Sequence, residues 1–302
     1  MLSRLQRWFQ RLCYLLIVRN FVAGETITEA LPRIHALRAK GFSLTIDLLG
    51  EAVTTLDEAA THTEEYVRLI HTLSREQIPV NVSVKLSAIG LCLDADAAER
   101  NLRAILAAAN QFGGSDSFVR VDMEDSTLTS ETLRIVRNVH AEYPWRVGTV
   151  LQASLFRTKD DLDTAVAAGI CIRLCKGAYR EPPDRAAQGP QQIRRRYSSH
   201  ARYLLRYGNR PAFATHDDIL IEHIRAFAER NGITPDRFEF QMLYGIRSEL
   251  ARSLVAAGYR VRIYVPVGDA WWKYFRRRLD EGKPWQLIGM FARNALRRNP
   301  YQ

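Results

Sequence analysis

Short apolar stretches rich in β-branched residues alternate along the chain with longer stretches in which apolar residues recur every three to four positions. The first pattern predicts eight strands, at 43–49, 80–86, 118–123, 147–152, 170–175, 212–215, 238–242 and 259–265. The second predicts helices at 28–40, 56–75, 95–111, 130–141, 159–168, 198–207, 219–229, 248–256 and 270–280. Gly41, Gly169, Gly232 and Gly258 fall between a helix and the next strand, where helix caps are expected. Eight β/α units in 302 residues predict a (β/α)8 barrel, with a doubly wound open sheet as the alternative fold.

Side chains alternate across a strand, so each predicted strand has a helix-facing and a lumen-facing side. One side reads Val82, Val84 and Leu86, then Val119 and Val121, then Ile172 and Leu174, then Val261, Ile263 and Val265. The other carries Asp47, Ser83, Lys85, Arg120, Asp122, Gln152, Arg173, Glu239, Gln241, Arg262 and Tyr264. Charges inside a barrel are costly unless paired or engaged by a ligand, and most of these lie near the C-terminal ends of their strands. Barrel active sites are built at that end. The stretch 170–181 is the most pointed case. Arg173 and Lys176 are delivered to a turn of small residues, Gly177 and Ala178, which suits close approach by an anionic cofactor. An ordinary strand whose arginine pairs with a carboxylate is the other reading.

Composition narrows the choice of partner. A hydrophobic content of 47% supports one large core, and no linker, repeat or low-complexity segment divides the chain. The net charge of +10 is spread widely, its tightest groups being 194–196, 276–278 and 297–298, with no aromatic-interleaved basic module for nucleic acid. Cys13, Cys92, Cys171 and Cys175 have neither metal spacing nor a secreted framework, so a reducing cytoplasm is the expected compartment. Leu5, Trp8, Phe9, Leu12 and Leu16 recur at helical spacing among arginines. The apolar run from Leu12 to Val18 is too short to span a bilayer, which needs about 20 residues. A basic amphipathic helix of this kind either packs on the main domain or lies at the inner face of a membrane. The expected division is 1–40 for N-terminal amphipathic helices and 41–302 for the barrel.

Several motifs then follow in order: Asp-Leu-Leu-Gly-Glu (47–51), Val-Ser-Val-Lys-Leu-Ser-Ala (82–88), Val-Asp-Met-Glu-Asp (121–125), Leu-Gln-Ala (151–153), Arg-Leu-Cys-Lys-Gly-Ala-Tyr (173–179), Ala-Thr-His-Asp (214–217), Glu-Phe-Gln-Met-Leu-Tyr-Gly (239–245), Tyr-Val-Pro-Val-Gly (264–268) and Arg-Arg-Leu-Asp-Glu (277–281). Together they resemble the proline dehydrogenase family, of the monofunctional bacterial type, whose fold is a distorted (β/α)8 barrel. The resemblance implies FAD as cofactor and L-proline as substrate. The reaction it implies is oxidation to Δ1-pyrroline-5-carboxylate by hydride transfer to flavin N5, with electrons passed on to a membrane quinone.

The resemblance also implies roles. Arg277 and Arg278 grip the substrate carboxylate with two planar donor forks, Lys85 adds a third positive charge, and Glu281 holds a guanidinium in place. Tyr264 lines the pocket and, as a buried phenol, needs a hydrogen-bond partner such as Asp122; Leu174 completes the substrate set. Glu51 is the gate, pairing with Arg277 when the site is empty. Asp122 and Arg173 are the catalytic pair, Asp122 with Lys85 setting amine protonation and Arg173 reaching the N5 region. Gln152 meets the flavin ring edge and Met123 its face. Lys176, Gly177 and Ala178 meet the pyrophosphate or ribityl chain, and Thr215 and His216 the adenine side. No Rossmann or Walker fingerprint is present, so FAD rests on the resemblance alone. Val267 stands where other members often carry tyrosine, which leaves hydroxyproline or another cyclic amino acid open as substrate. The polar stretch 180–197, with three prolines, reads as a mobile excursion. A different class of reading is a barrel lyase, with a Schiff base on Lys85 or a divalent metal on Asp122, Glu124, His216 and Asp217.

Overall fold

A computed structural model describes residues 21–50 and 52–271. The basic helix expected within 1–20, most of the helix expected at 270–280, and Glu51, Arg277, Arg278 and Glu281 lie outside the described residues.

Helix α1 (Ile27–Ala39) starts at Thr26, whose side chain accepts a hydrogen bond from the Glu29 N–H, and it buries Ala30, Ile34 and Leu37. The barrel follows as β1 (Ser43–Leu48), α2 (Leu56–Arg75), β2 (Asn81–Val84), α3 (Ala95–Phe112), β3 (Phe118–Val121), α4 (Thr129–Glu142), β4 (Val147–Gln152), α5 (Thr158–Ala167) and β5 (Cys171–Cys175). It is completed by α6 (Pro190–Tyr207), β6 (Ala212–Ala214), α7 (Asp218–Arg230), β7 (Glu239–Leu243), α8 (Ser248–Ala256) and β8 (Arg260–Val267). Consecutive strands pair in parallel, and β8 pairs with β1 from Ser43 opposite Arg262 to Leu48 opposite Val267. That last ladder closes the sheet and rules out the doubly wound alternative.

The helices are held by local chemistry and by burial. Thr55 and Glu58 form a reciprocal capping box at the start of α2, which then buries Tyr66, Leu69, Ile70 and Leu73 at helical spacing. Tyr66 Oη reaches under the sheet to donate to the Ser83 carbonyl at 2.7 Å. On the strands, Val82, Val84, Val119, Val121, Ile172, Leu174, Val261, Ile263 and Val265 are all at most 1% exposed. Their packing against the helices is the main apolar term, about 1.5–3 kcal/mol for each large side chain removed from water.

Three expectations change. Helix α6 begins at Pro190, not 198, because proline's fixed φ and missing N–H suit a first helical turn. The rest of the 180–197 stretch is tied down, with Ala187 N–H donating to the Ser154 carbonyl and Phe156 N–H to that of Arg185. Leu174 does not face the lumen, since it belongs to the helix-facing core and its carbonyl accepts from Tyr197 Oη. Val267 is buried in that core as well.

The lumen is ionic from its base upward. Glu239, which opens β7, takes two bonds from Arg262 of β8, at 2.9 and 3.1 Å, and one from Gln241 Nε2. Burial alone would raise the Glu239 carboxyl; Arg262, Gln241 and Arg120 outweigh it and bring it down from 4.5 to about 2. A carboxyl depressed on folding binds its proton more tightly in the unfolded chain. Its contribution to stability is therefore complete above about pH 4.5 and is lost as pH falls toward 2. Glu239→Gln is expected to lower the melting temperature at pH 7 and to flatten its fall below pH 4.5; an unchanged acid limb would assign that limb to other carboxylates.

Candidate active site

At the C-terminal end of the strands two ion-pair systems stand side by side. Lys85, one residue past β2, donates from Nζ to both carboxylate oxygens of Asp47 on β1, at 2.9 and 3.1 Å. Asp47 is fully buried and Lys85 is 8% exposed. Asp122, one residue past β3, accepts from Arg173 of β5 at 2.6 Å on one oxygen and from Tyr264 Oη of β8 at 2.8 Å on the other. Arg173 also donates to Ser83 Oγ at 3.0 Å, and its guanidinium lies 5.3 Å from the centre of the Tyr264 ring. Burial raises the Tyr264 phenol well above its ordinary range, and the charges of Asp122 and Asp47 add to this. The phenol is therefore a neutral donor, aimed at a carboxylate.

Lys85, Asp122, Arg173 and Tyr264 line a chamber of about 260 Å³ whose apolar walls include Met123, Val150, Met242 and Leu243. One side is the turn after β5. Gly177 sits there at φ +109°, and a Cβ on it would come within 2.2 Å of Ser154 Oγ, so only glycine lets the backbone lie this close. Gln152 is buried at the root of the turn, donating to the Glu124 carbonyl at 2.8 Å. Past Lys176, Ala214 and His216 the chamber continues into an open cleft of about 570 Å³. There Asp217 accepts from Lys176 Nζ at 2.6 Å and Arg194 Nε at 2.7 Å. Burial opposes the Asp217 charge, but these two cations prevail and lower its pKa to about 2. His216 Nε2 accepts from the Leu243 N–H at 3.0 Å, and Thr215 Oγ1 from the Asp217 N–H at 3.1 Å.

Of the residues singled out from sequence, Lys85, Asp122, Met123, Arg173, Lys176, Gly177, Ala178, His216 and Tyr264 surround one chamber, and Thr215 lines the adjoining cleft. Leu174 is not among them. Arg194 and Tyr179 were missed, because nothing in a helix start or a loop marks a residue as facing a distant strand end. Glu124 was noticed only as a metal ligand; its carboxylate is taken up by the Ser87 N–H and Oγ at 3.0 and 2.5 Å. Asp122, Glu124, His216 and Asp217 each have a different partner, and among the described residues no group of three His, Cys, Asp or Glu is gathered that could hold a metal ion.

An eight-stranded parallel barrel with its catalytic-type charges at the strand ends defines an α/β-barrel enzyme. Residues 30–285 match the family model described as proline dehydrogenase. The chain is 38% identical to proline dehydrogenase 2 of Bacillus subtilis (strain 168) over 262 residues, 87% of this chain and 85% of that protein. It is also 38% identical to the proline dehydrogenase of Deinococcus radiodurans over 274 residues, 88% and 86% of the two chains. Among solved structures, proline utilization A (PutA) from Bdellovibrio bacteriovorus, inactivated by N-propargylglycine, superposes with a TM-score of 0.84 at 27% identity, covering 96% of this chain and 35% of that longer one. The chain belongs to the proline dehydrogenase family, oxidoreductases acting on the CH–NH group of proline.

Asp47→Asn would leave the Lys85 ammonium buried without its carboxylate, which costs about 3–5 kcal/mol. A large fall in melting temperature is expected, mostly recovered in the double variant Asp47→Asn with Lys85→Met; a single variant as stable as wild type would mean that the pair is solvated.

Proposed function

We propose that the chain oxidises L-proline to Δ1-pyrroline-5-carboxylate with FAD as its cofactor. The observation that carries the cofactor assignment is the trough running from the chamber to the cleft. Its narrow part has apolar walls and two buried polar atoms that have no partner among the described residues, Arg173 Nε as donor and Gln241 Oε1 as acceptor. Its middle is the Gly177 turn with Lys176, and its far part carries Arg194, Thr215 and His216. A heteroaromatic ring with mixed donors and acceptors, joined to a phosphate-bearing chain, matches that sequence of surfaces.

Arg173, Gln152 and Met123 would hold the ring; Lys176, Gly177 and Ala178 the phosphate or ribityl portion; Thr215 and His216 the adenine side. Bound there, the flavin would supply the hydride acceptor at N5. The oxidation removes a hydride from the ring carbon beside nitrogen and a proton from the nitrogen, so the amine must be presented unprotonated. An ammonium beside it disfavours a second positive charge, and Lys85 is placed to do this; the carboxylate of Asp122 acts in the opposite sense. In this reading Asp122 chiefly keeps Arg173 and the neutral Tyr264 phenol in position. Arg277, Arg278 and Lys85 bind the substrate carboxylate, with Glu281 holding the guanidinium pair and Glu51 as gate. Proline is favoured over a hydroxylated analogue, because the departure at Val267 is buried in the barrel wall.

For the electron acceptor we favour a membrane quinone, with the protein cytoplasmic and in peripheral contact with the bilayer. Among the described residues no helix is long and apolar enough to cross a membrane. The basic amphipathic pattern of 1–20 supports contact at the lipid surface.

Purified protein is expected to be yellow, with a flavin absorbance that bleaches on anaerobic addition of L-proline; a colourless protein, or no bleaching, would overturn the assignment. Replacing Arg277 or Arg278 by alanine should raise KM for proline about tenfold or more, since a charge-assisted bond contributes about 1.5–3 kcal/mol. Steady-state kinetics with an unchanged KM would remove that arginine from the site. Co-sedimentation with anionic liposomes should be lost when residues 1–20 are deleted, and retention would place membrane contact elsewhere.

A further inference from the structure

The barrel has a second polar cavity at its opposite, N-terminal end, of about 140 Å³. Its back wall is Arg120, on the lumen side of β3 and only 5% exposed. The side chain lies across β4 because the residue beside it in register is Gly148, where a Cβ would come within 2.7 Å of the Arg120 Nη1. Through that gap Nη1 donates to two carbonyls, of Thr149 at 2.9 Å and Cys171 at 2.6 Å. Arg120 Nε and Nη2 have no hydrogen-bond partner among the described residues, and no carboxylate is hydrogen-bonded to this guanidinium.

The cavity's other charges compensate only in part. Glu239 is taken up by Arg262. Arg210 and Arg260 line the rim and are bonded to neutral carbonyls, those of Trp145 and Asp236, while the single remaining carboxylate, Asp116, is exposed. Burial, with repulsion from Arg173 next in weight, outweighs the attraction of Glu239 and brings the Arg120 pKa down to about 9. A buried guanidinium with donors directed at a polar cavity, and two more arginines at the entrance, recognises an anion with several acceptor oxygens.

We propose that this basal cavity binds a small inorganic oxyanion of the phosphate and sulfate class, which supplies the missing counter-charge beneath the active site. Gln241 lines both the basal cavity and the catalytic chamber, so the anion is one side chain away from the reaction without being part of it.

The test is isothermal titration calorimetry of the full-length protein as purified, with sodium phosphate at constant ionic strength; on the reading proposed above, FAD would occupy the cleft at the other end. One saturable phosphate per chain is expected, with affinity abolished in Arg120→Met. The rim double variant Arg210→Gln with Arg260→Gln should weaken it about tenfold or more. Arg68→Gln, an exposed arginine of α2, should leave it unchanged. If Arg120→Met does not fold, the rim variant decides. Absence of saturable binding, or equal affinity in wild type and rim variant, or an equal loss in Arg68→Gln, overturns the site.

Discussion

Unpaired charge is costly in a barrel lumen, and that constraint organises this protein. Among the described residues, four cations near the mouth are each met by a carboxylate from another part of the chain: Lys85 by Asp47, Arg173 by Asp122, Lys176 and Arg194 by Asp217. The Lys85–Asp47 and Lys176–Asp217 pairs join neighbouring strand ends, whereas the bond from Tyr264 of β8 to Asp122 past β3 crosses the lumen and needs the closed sheet. The apolar helix layer provides the driving force for closure, and the ionic lumen limits the arrangements allowed.

The pairs also explain how a site for an amino acid can be both charged and rigid. A neutral phenol and a guanidinium share the two oxygens of Asp122, so neither can rotate away without stranding a buried group. Lys85 is held by two oxygens of a fully buried carboxylate. Groups fixed in this way need no further ordering when a ligand arrives. At the base, Glu239 and Arg262 satisfy each other, and Arg120 is a lumen cation to which the strands offer two carbonyls and the face of the Phe118 ring but no bonded carboxylate.

Much of this was legible in the chain. Alternation along the strands separated Val82, Val84, Ile172 and Ile263 from Ser83, Lys85, Arg173 and Arg262, and the same alternation placed Asp47 and Gln241 in the lumen. The Lys176–Ala178 turn was visible as small residues after cations. Leu174 was misplaced among substrate contacts although its own strand pattern faced it outward. The start of α6 was missed because its first turns are polar, with apolar residues spaced too widely to signal a helix until 197.

Period, composition and motif order by themselves determined the eight-unit barrel, its two-faced strands and the identity of the charged residues at the mouth, because these are properties of neighbours along the chain. Which charge meets which was decided by tertiary structure. Tyr264 and Asp122 are 142 residues apart, and Arg173 and Ser83 are 90 apart. Their contact depends on strand register and barrel closure, which local sequence does not encode. The empty shoulder of Gly148 that lets Arg120 reach β5 is likewise a fact of register between strands, invisible until the sheet is assembled.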